Sequence, residues 1–193
     1  MKKLSSILLL IIAVAALTSC QGYNRMVEKQ EAVTAQWGNV QNAYQRRADL
    51  IPNLVNTVKG YATHEQETLT QVTEARAKAT QTTINPENRT AESLQDYQQA
   101  QNQLSQALGR LLLIQENYPE LKANQNFLAL QDELAGTENR ISVERNKFNQ
   151  AAQDYNAYIR KFPQVIYAKW FKFKSKAYFE ATTESQTAPE VVF

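Results

Sequence analysis

His64 and Glu65 are the one histidine–acid neighbour pair in this 193-residue sequence. An imidazole beside a carboxylate is a common start for a metal site or a general base. Adjacent residues on a helix point about 100° apart, so these two do not converge on one ligand. No second histidine exists to complete a metal set, and a helix-surface or packing role is the plainer reading. A paired-carboxylate hydrolase needs two acids facing one cleft, and no spacing here points to one. Gly-rich phosphate loops, dinucleotide fingerprints and the G-x-S-x-G elbow are absent. A single cysteine excludes a disulfide framework and a cysteine-based zinc site. No cofactor or metal is expected, and an enzyme is the least favoured class.

Two charged clusters and one basic-aromatic segment remain. Arg46, Arg47 and Asp49 stand just before Pro52, while Glu138, Arg140, Glu144 and Arg145 stand in a later segment. Antiparallel helices would let these charges pair and fix register, adding little stability if exposed and costing energy if buried. A solvated face and a ligand site are the alternatives. Near the C-terminus, Lys169, Trp170, Phe171, Lys172, Phe173, Lys174 and Lys176 interleave cations with rings. Such a segment can lie on an anionic bilayer or stack on single-stranded nucleic acid. The simpler alternative is that Trp170, Phe171, Phe173, Tyr178 and Phe179 fold back and cap a bundle.

The N-terminus reads as an export signal. Lys2 and Lys3 precede an apolar run from Leu4 to Leu17, broken only by Ser5 and Ser6. The run is shorter than the roughly 20 residues that a membrane-spanning helix needs. Its end, Leu17-Thr18-Ser19-Cys20, resembles the lipobox of bacterial lipoproteins. That resemblance implies a signal over residues 1–19, cleavage before Cys20, and a diacylglyceryl group on the Cys20 thiol. Cleavage removes two lysines from the 21 basic residues, leaving 19 against 19 acidic ones. The mature side-chain charge is then about zero, which with the export signal argues against nucleic acid as a partner. No Asp follows Cys20 at the second mature position, and a periplasm-facing membrane location is expected.

The elements that must carry these residues are helices. Only 5 Gly and 5 Pro occur in a chain that is 43% hydrophobic and 21% charged, too few breakers for a turn-rich β or doubly wound fold. Met26, Val33, Val40, Arg47, Leu54 and Tyr61 share one heptad phase, paired with Gln30, Trp37, Tyr44, Ile51, Val58 and Glu65. The pattern predicts one helix from residue 24 to residue 80, about 85 Å long at 1.5 Å per residue, with a kink at Pro52 or a restart capped by Asp49. Asn85-Pro86-Glu87 reads as the next helix start. That helix carries Tyr97, Leu104, Leu111 and Tyr118, with Leu94 and Leu108, and ends near Asn117. A third segment opens at Pro119-Glu120. In it Phe127, Leu134, Ile141, Phe148, Tyr155 and Phe162 recur every seventh residue, which favours a gentle left-handed supercoil; Pro163 stops it. The 21 Gln and 15 Asn are expected on outer helix faces.

The run from Arg46 to Glu65, RRADLIPNLVNTVKGYATHE, looks very like the signature of the LemA family. Tyr23-Asn24, Trp37, Val72 with Glu74-Ala75-Arg76, Glu116 to Ala123, Glu138 to Ile141, Arg145, Tyr155-Asn156 and Phe162-Pro163 are also similar to that family. The resemblance covers nearly all of the mature chain. It implies an all-α, elongated antiparallel bundle of long helices, anchored at its N-terminus, with no established enzymatic activity. Many members use an uncleaved transmembrane helix, whereas this chain offers a lipobox. The expected organisation is a signal over 1–19, a helical domain over 20–180 and a disordered tail over 181–193. The expected role is a membrane-anchored, non-enzymatic scaffold or adaptor that contacts an envelope protein. The alternative is a membrane-active protein using the Lys169–Lys176 segment on a bilayer.

Overall fold

Sixty residues of unbroken α-helix, Lys2–Tyr61, form α1. This is a computed structural model that describes residues 2–84 and 90–180, with side chains from residue 21 onward. The order continues with α2 (Gln66–Gln81), α3 (Ala91–Leu113), a 3-10 turn (Ile114–Asn117), α4 (Pro119–Lys122), α5 (Gln125–Arg160) and α6 (Gln164–Trp170). Among the described residues there is no strand, and the fold is an all-α bundle. The expected tail over 181–193 and the expected helix start at Asn85–Glu87 lie outside the described residues.

Two compact units divide the chain. The first combines the chain up to Arg47 with Gly136–Lys176; the second combines Ala48–Ala135 with the chain from Ala177.

In the first unit α1 and α5 run antiparallel. Lys29 lies over the Tyr158 ring, Trp37 meets Phe148 and Arg47 meets Glu138, so partner numbers fall along α5 as they rise along α1. The inward residues are those of the heptad phases: Met26, Val33, Trp37 and Val40 from α1, Ile141, Phe148 and Tyr155 from α5, all buried. Trp37 and Phe148 meet edge-on with ring centroids 5.7 Å apart, a favoured aromatic geometry.

The second unit is more aliphatic. Leu54, Val58, Leu69, Leu104, Leu111 and Leu121 belong to one buried cluster with Phe127. α2 and α3 pack as a hairpin, and α3 starts at a capping box in which Thr90 and Ser93 satisfy each other's backbone N–H. Gln101 is buried between these helices and donates to the Ala79 carbonyl at 3.2 Å. That carbonyl belongs to the last turn of α2, where no intrahelical donor remains. Gln101, like Asn156 in the first unit, departs from the expectation that amides keep to outer faces.

Three expectations are corrected. The single helix over 24–80 is two helices: α1 ends at Tyr61 and α2 begins at Gln66. The break follows Gly60, at Thr63-His64, where weak helix formers meet; His64 therefore sits in an exposed turn rather than on a helix. Pro52 neither ends α1 nor forces a restart at Asp49, because it lies inside the continuous helix. Phe162 keeps the heptad spacing but is 80% exposed. It lies beyond the end of α5 at Arg160, where helical phase no longer sets direction.

Candidate functional site

The quoted motifs are separate in sequence, and the fold brings them together in pairs. The first pair lies in the second unit around Pro52. Proline has no N–H, so the carbonyl four residues back, on Ala48, loses its helical donor. Arg76 of α2 supplies the missing one: its Nε donates to the Ala48 oxygen at 2.8 Å. That single bond explains how the helix runs on through a proline.

At the α1–α2 turn the Tyr118 hydroxyl donates to Glu65 at 3.3 Å, and Asn124 Nδ2 donates to the Tyr61 hydroxyl at 2.8 Å. The Asn124 side-chain Oδ1 also accepts from the Phe127 N–H at 2.9 Å, which makes Asn124 the N-cap of α5. Glu65, the acid of the His64–Glu65 pair, is thus a hydrogen-bond acceptor for a tyrosine. Partial desolvation, then the Glu65 carboxylate, hold the Tyr118 hydroxyl above its ordinary pKa. Among the described residues no group of His, Cys, Asp and Glu is placed to hold a metal ion.

In the first unit the predicted charge pairing is present. Arg47 is 1% exposed and occupies a core heptad position. Its Nη1 lies 2.6 Å from Glu138 Oε1, and its guanidinium stands 5.2 Å from the centre of the Tyr44 ring, one turn earlier on the same helix. Arg145 donates to the Tyr44 hydroxyl; burial raises that hydroxyl's pKa, while Arg145 and Arg47 pull it down. Nearer the other end of this seam, Glu144 accepts from Gln36 at 2.6 Å and pairs with Lys147 at 2.9 Å. The Lys147 hydrogen bond holds the Glu144 carboxyl below the usual carboxylate range, joined by the Gln36 amide. The Arg47–Glu138 and Gln36–Glu144 contacts each join α1 to α5, so the cluster fastens this seam. Tyr155 is deeply buried in the same unit; its hydroxyl finds no hydrogen-bond partner among the described residues, and burial pushes it up to about 12.

The basic-aromatic segment is partly buried and partly exposed. Lys169 and Trp170 end α6, and a Schellman turn follows. The Phe173 N–H bonds the Ala168 carbonyl at 2.9 Å, the Lys172 N–H bonds the Lys169 carbonyl at 3.3 Å, and Lys172 has a positive φ of 60°. Asn156 then holds the chain with two bonds of 2.8 Å, one to the Lys176 carbonyl and one from its N–H. Phe173 is half-buried and Phe179 buried, which matches folding back. Trp170 and Phe171 are exposed, at 79% and 55%, as are Lys169, Lys172 and Lys174. The Cys20 side chain lies outside the described residues. Sequence reasoning missed Arg76, Gln101 and Asn124. The first was foreshadowed by Pro52, whose orphaned acceptor needs a donor from somewhere.

The comparisons agree with the motifs. Residues 36–193 match the LemA family. Magnetosome protein MamQ of Magnetospirillum gryphiswaldense is 27% identical over 202 residues, covering 93% of this chain and 74% of its own length. Magnetosome protein MamQ 2 of Paramagnetospirillum magneticum is 26% identical over 182 residues, covering 86% and 67%. Protein LemA of Metamycoplasma hominis is 23% identical over 159 residues, covering 82% and 69%. With a family match over most of its length, paired motifs and an all-α bundle, the chain belongs to the LemA family.

Proposed function

We propose that this protein is a lipid-anchored scaffold of the bacterial cell envelope, non-enzymatic and acting through protein contacts. The observation that carries this reading is Cys20, the sole cysteine, placed at the end of an apolar run in the setting Leu17-Thr18-Ser19-Cys20. Signal cleavage there would leave the acylated Cys20 at the start of the mature chain, on the helix α1 that continues to Tyr61. Two or more acyl chains, at about 0.8 kcal/mol per buried methylene, tether durably. Among the described residues no helix is long and apolar enough to cross a membrane; in this reading the tether is the lipid on Cys20.

The interior supports the contact role. Motif residues spend their hydrogen bonds on one another, as Arg76, Glu65, Arg47 and Asn156 do. What remains for partners is the outer surface, such as the amide-rich groove of the second unit lined by Asn53, Asn56, Thr57, Asn126 and Glu133. The anchored end faces the periplasm in this reading.

Metabolic labelling with an alkyne fatty acid tests the anchor. Label is expected on the wild type and absent from Cys20→Ala; equal labelling of both, or of neither, would sink it. Photo-crosslinkers at Asn56 and Glu133 in living cells test the contact role, which predicts a discrete envelope-protein adduct.

A further inference from the structure

The first unit leaves an apolar surface uncovered at one end. Phe162, Ile166, Trp170 and Phe171 are 80%, 49%, 79% and 55% exposed. Ile166 and Trp170 are four residues apart on α6 and share its face. A contiguous exposed patch of large side chains on a folded protein marks a surface that something covers.

Three observations identify the occupant. The first is position. Tyr23 of α1 touches this surface: its ring centroid is 4.9 Å from that of Phe171 and 5.7 Å from that of Phe173. Gly22 is buried close to the Tyr167 ring. The patch therefore lies against residues two and three positions after Cys20. The second is charge. From Tyr155 to Phe179 the sequence has six basic residues, Arg160, Lys161, Lys169, Lys172, Lys174 and Lys176, and no acidic one, which complements an anionic surface. The third is Lys172. The C′ position of a Schellman turn needs a left-handed backbone, which glycine adopts without strain and lysine does not. Here that position, at φ 60° and exposed, carries a cation instead. Tryptophan and phenylalanine bordered by lysines suit the headgroup boundary, where rings enter the acyl edge and ammonium groups meet phosphates.

We propose that Phe162, Ile166, Trp170 and Phe171, with Lys169 and Lys172, lie on the anionic phospholipid bilayer that holds the anchor. This rests on the membrane-tethered reading above. It adds a second point of attachment, which orients the first unit at the membrane rather than leaving it free to swivel on its acyl group. The tether supplies the high local concentration of bilayer that a small surface needs.

Trp170 provides the readout, because the other tryptophan, Trp37, is buried in the core. The full-length protein is extracted from membranes and reconstituted into vesicles of phosphatidylglycerol and phosphatidylcholine with brominated acyl chains. Bromolipid is expected to quench the fluorescence that separates wild type from Trp170→Phe. Lys172→Gly relieves the backbone while removing one charge, so it keeps the fold. It should shift the docked-to-undocked ratio about fivefold toward undocked, the equivalent of about 1 kcal/mol per basic residue near an anionic surface. Trp170 fluorescence untouched by bromolipid overturns the proposal, and shielding of Trp170 from iodide in that case assigns the patch to a protein. Quenching of Trp170 without fatty-acid labelling at Cys20 leaves the bilayer contact standing and removes only the acyl anchor.

Discussion

The two units solve the same packing problem with different residues. The second fills its interior with aliphatic side chains and buries one polar residue, Gln101, which closes a helix end. The first buries Arg47, Thr137 and Asn156 among Trp37, Tyr44, Phe148 and Tyr155. Aliphatic packing is non-directional and stabilises in proportion to buried area. An ion pair with a buried guanidinium and a pair of edge-on rings are instead directional, each with one good geometry. The first unit thus contains the more specific seam, with Arg47 locked to Glu138, and the second relies on aliphatic burial.

The largest test of this contrast is Leu111→Ala in the second unit, where the residue is fully buried. We expect a loss of about 2–5 kcal/mol in urea unfolding. A change under about 1 kcal/mol would mean that this core is not the main source of stability. Next is the seam. Glu138→Ala leaves a buried guanidinium without its carboxylate and should cost about 1–3 kcal/mol; Arg47→Met, which fills the same slot with apolar volume, should be near neutral or stabilising. If Arg47→Met is the more damaging of the two, the ion pair is a source of stability rather than of register.

A double-mutant cycle sharpens the role of Pro52. Arg76→Met strands the Ala48 carbonyl and should cost about 1–2 kcal/mol. In a Pro52→Ala background the restored N–H serves that carbonyl, and most of the cost should vanish. Full additivity would remove the link drawn between proline and arginine. The smallest effect is expected at Tyr155→Phe, which deletes a buried hydroxyl that has no partner among the described residues. Its stability should change by no more than about 0.5 kcal/mol, in either direction. A loss of several times that would reveal a bond the hydroxyl makes.

Heptad phase made the bundle legible, because burial of one stripe is what a helix pattern encodes. Val33, Val40, Leu54, Phe127, Ile141 and Phe148 all point inward as their spacing required. Arg47 and Glu138 were readable as a pair once antiparallel packing was assumed. The turn after Tyr61 was not, since Ala62, Leu69 and Val72 keep supplying buried apolar residues on both sides of it. Periodicity reports a face and says little about where hydrogen bonding stops. The rescue of Pro52 depends on a side chain 28 residues from Ala48, and the split of the aromatic segment depends on Asn156. Both are properties of tertiary placement, which no local pattern contains.

The pair of hydrogen bonds between the Asn156 amide and the Lys176 backbone has a consequence for tolerance of salt and acid. An amide neither titrates nor attracts counterions. The clasp on the C-terminal aromatic segment therefore keeps its grip in brine, in dilute medium and across swings of acidity. In this segment ionic strength is left to act on the lysine ammonium groups, while the chain beneath them stays where it is.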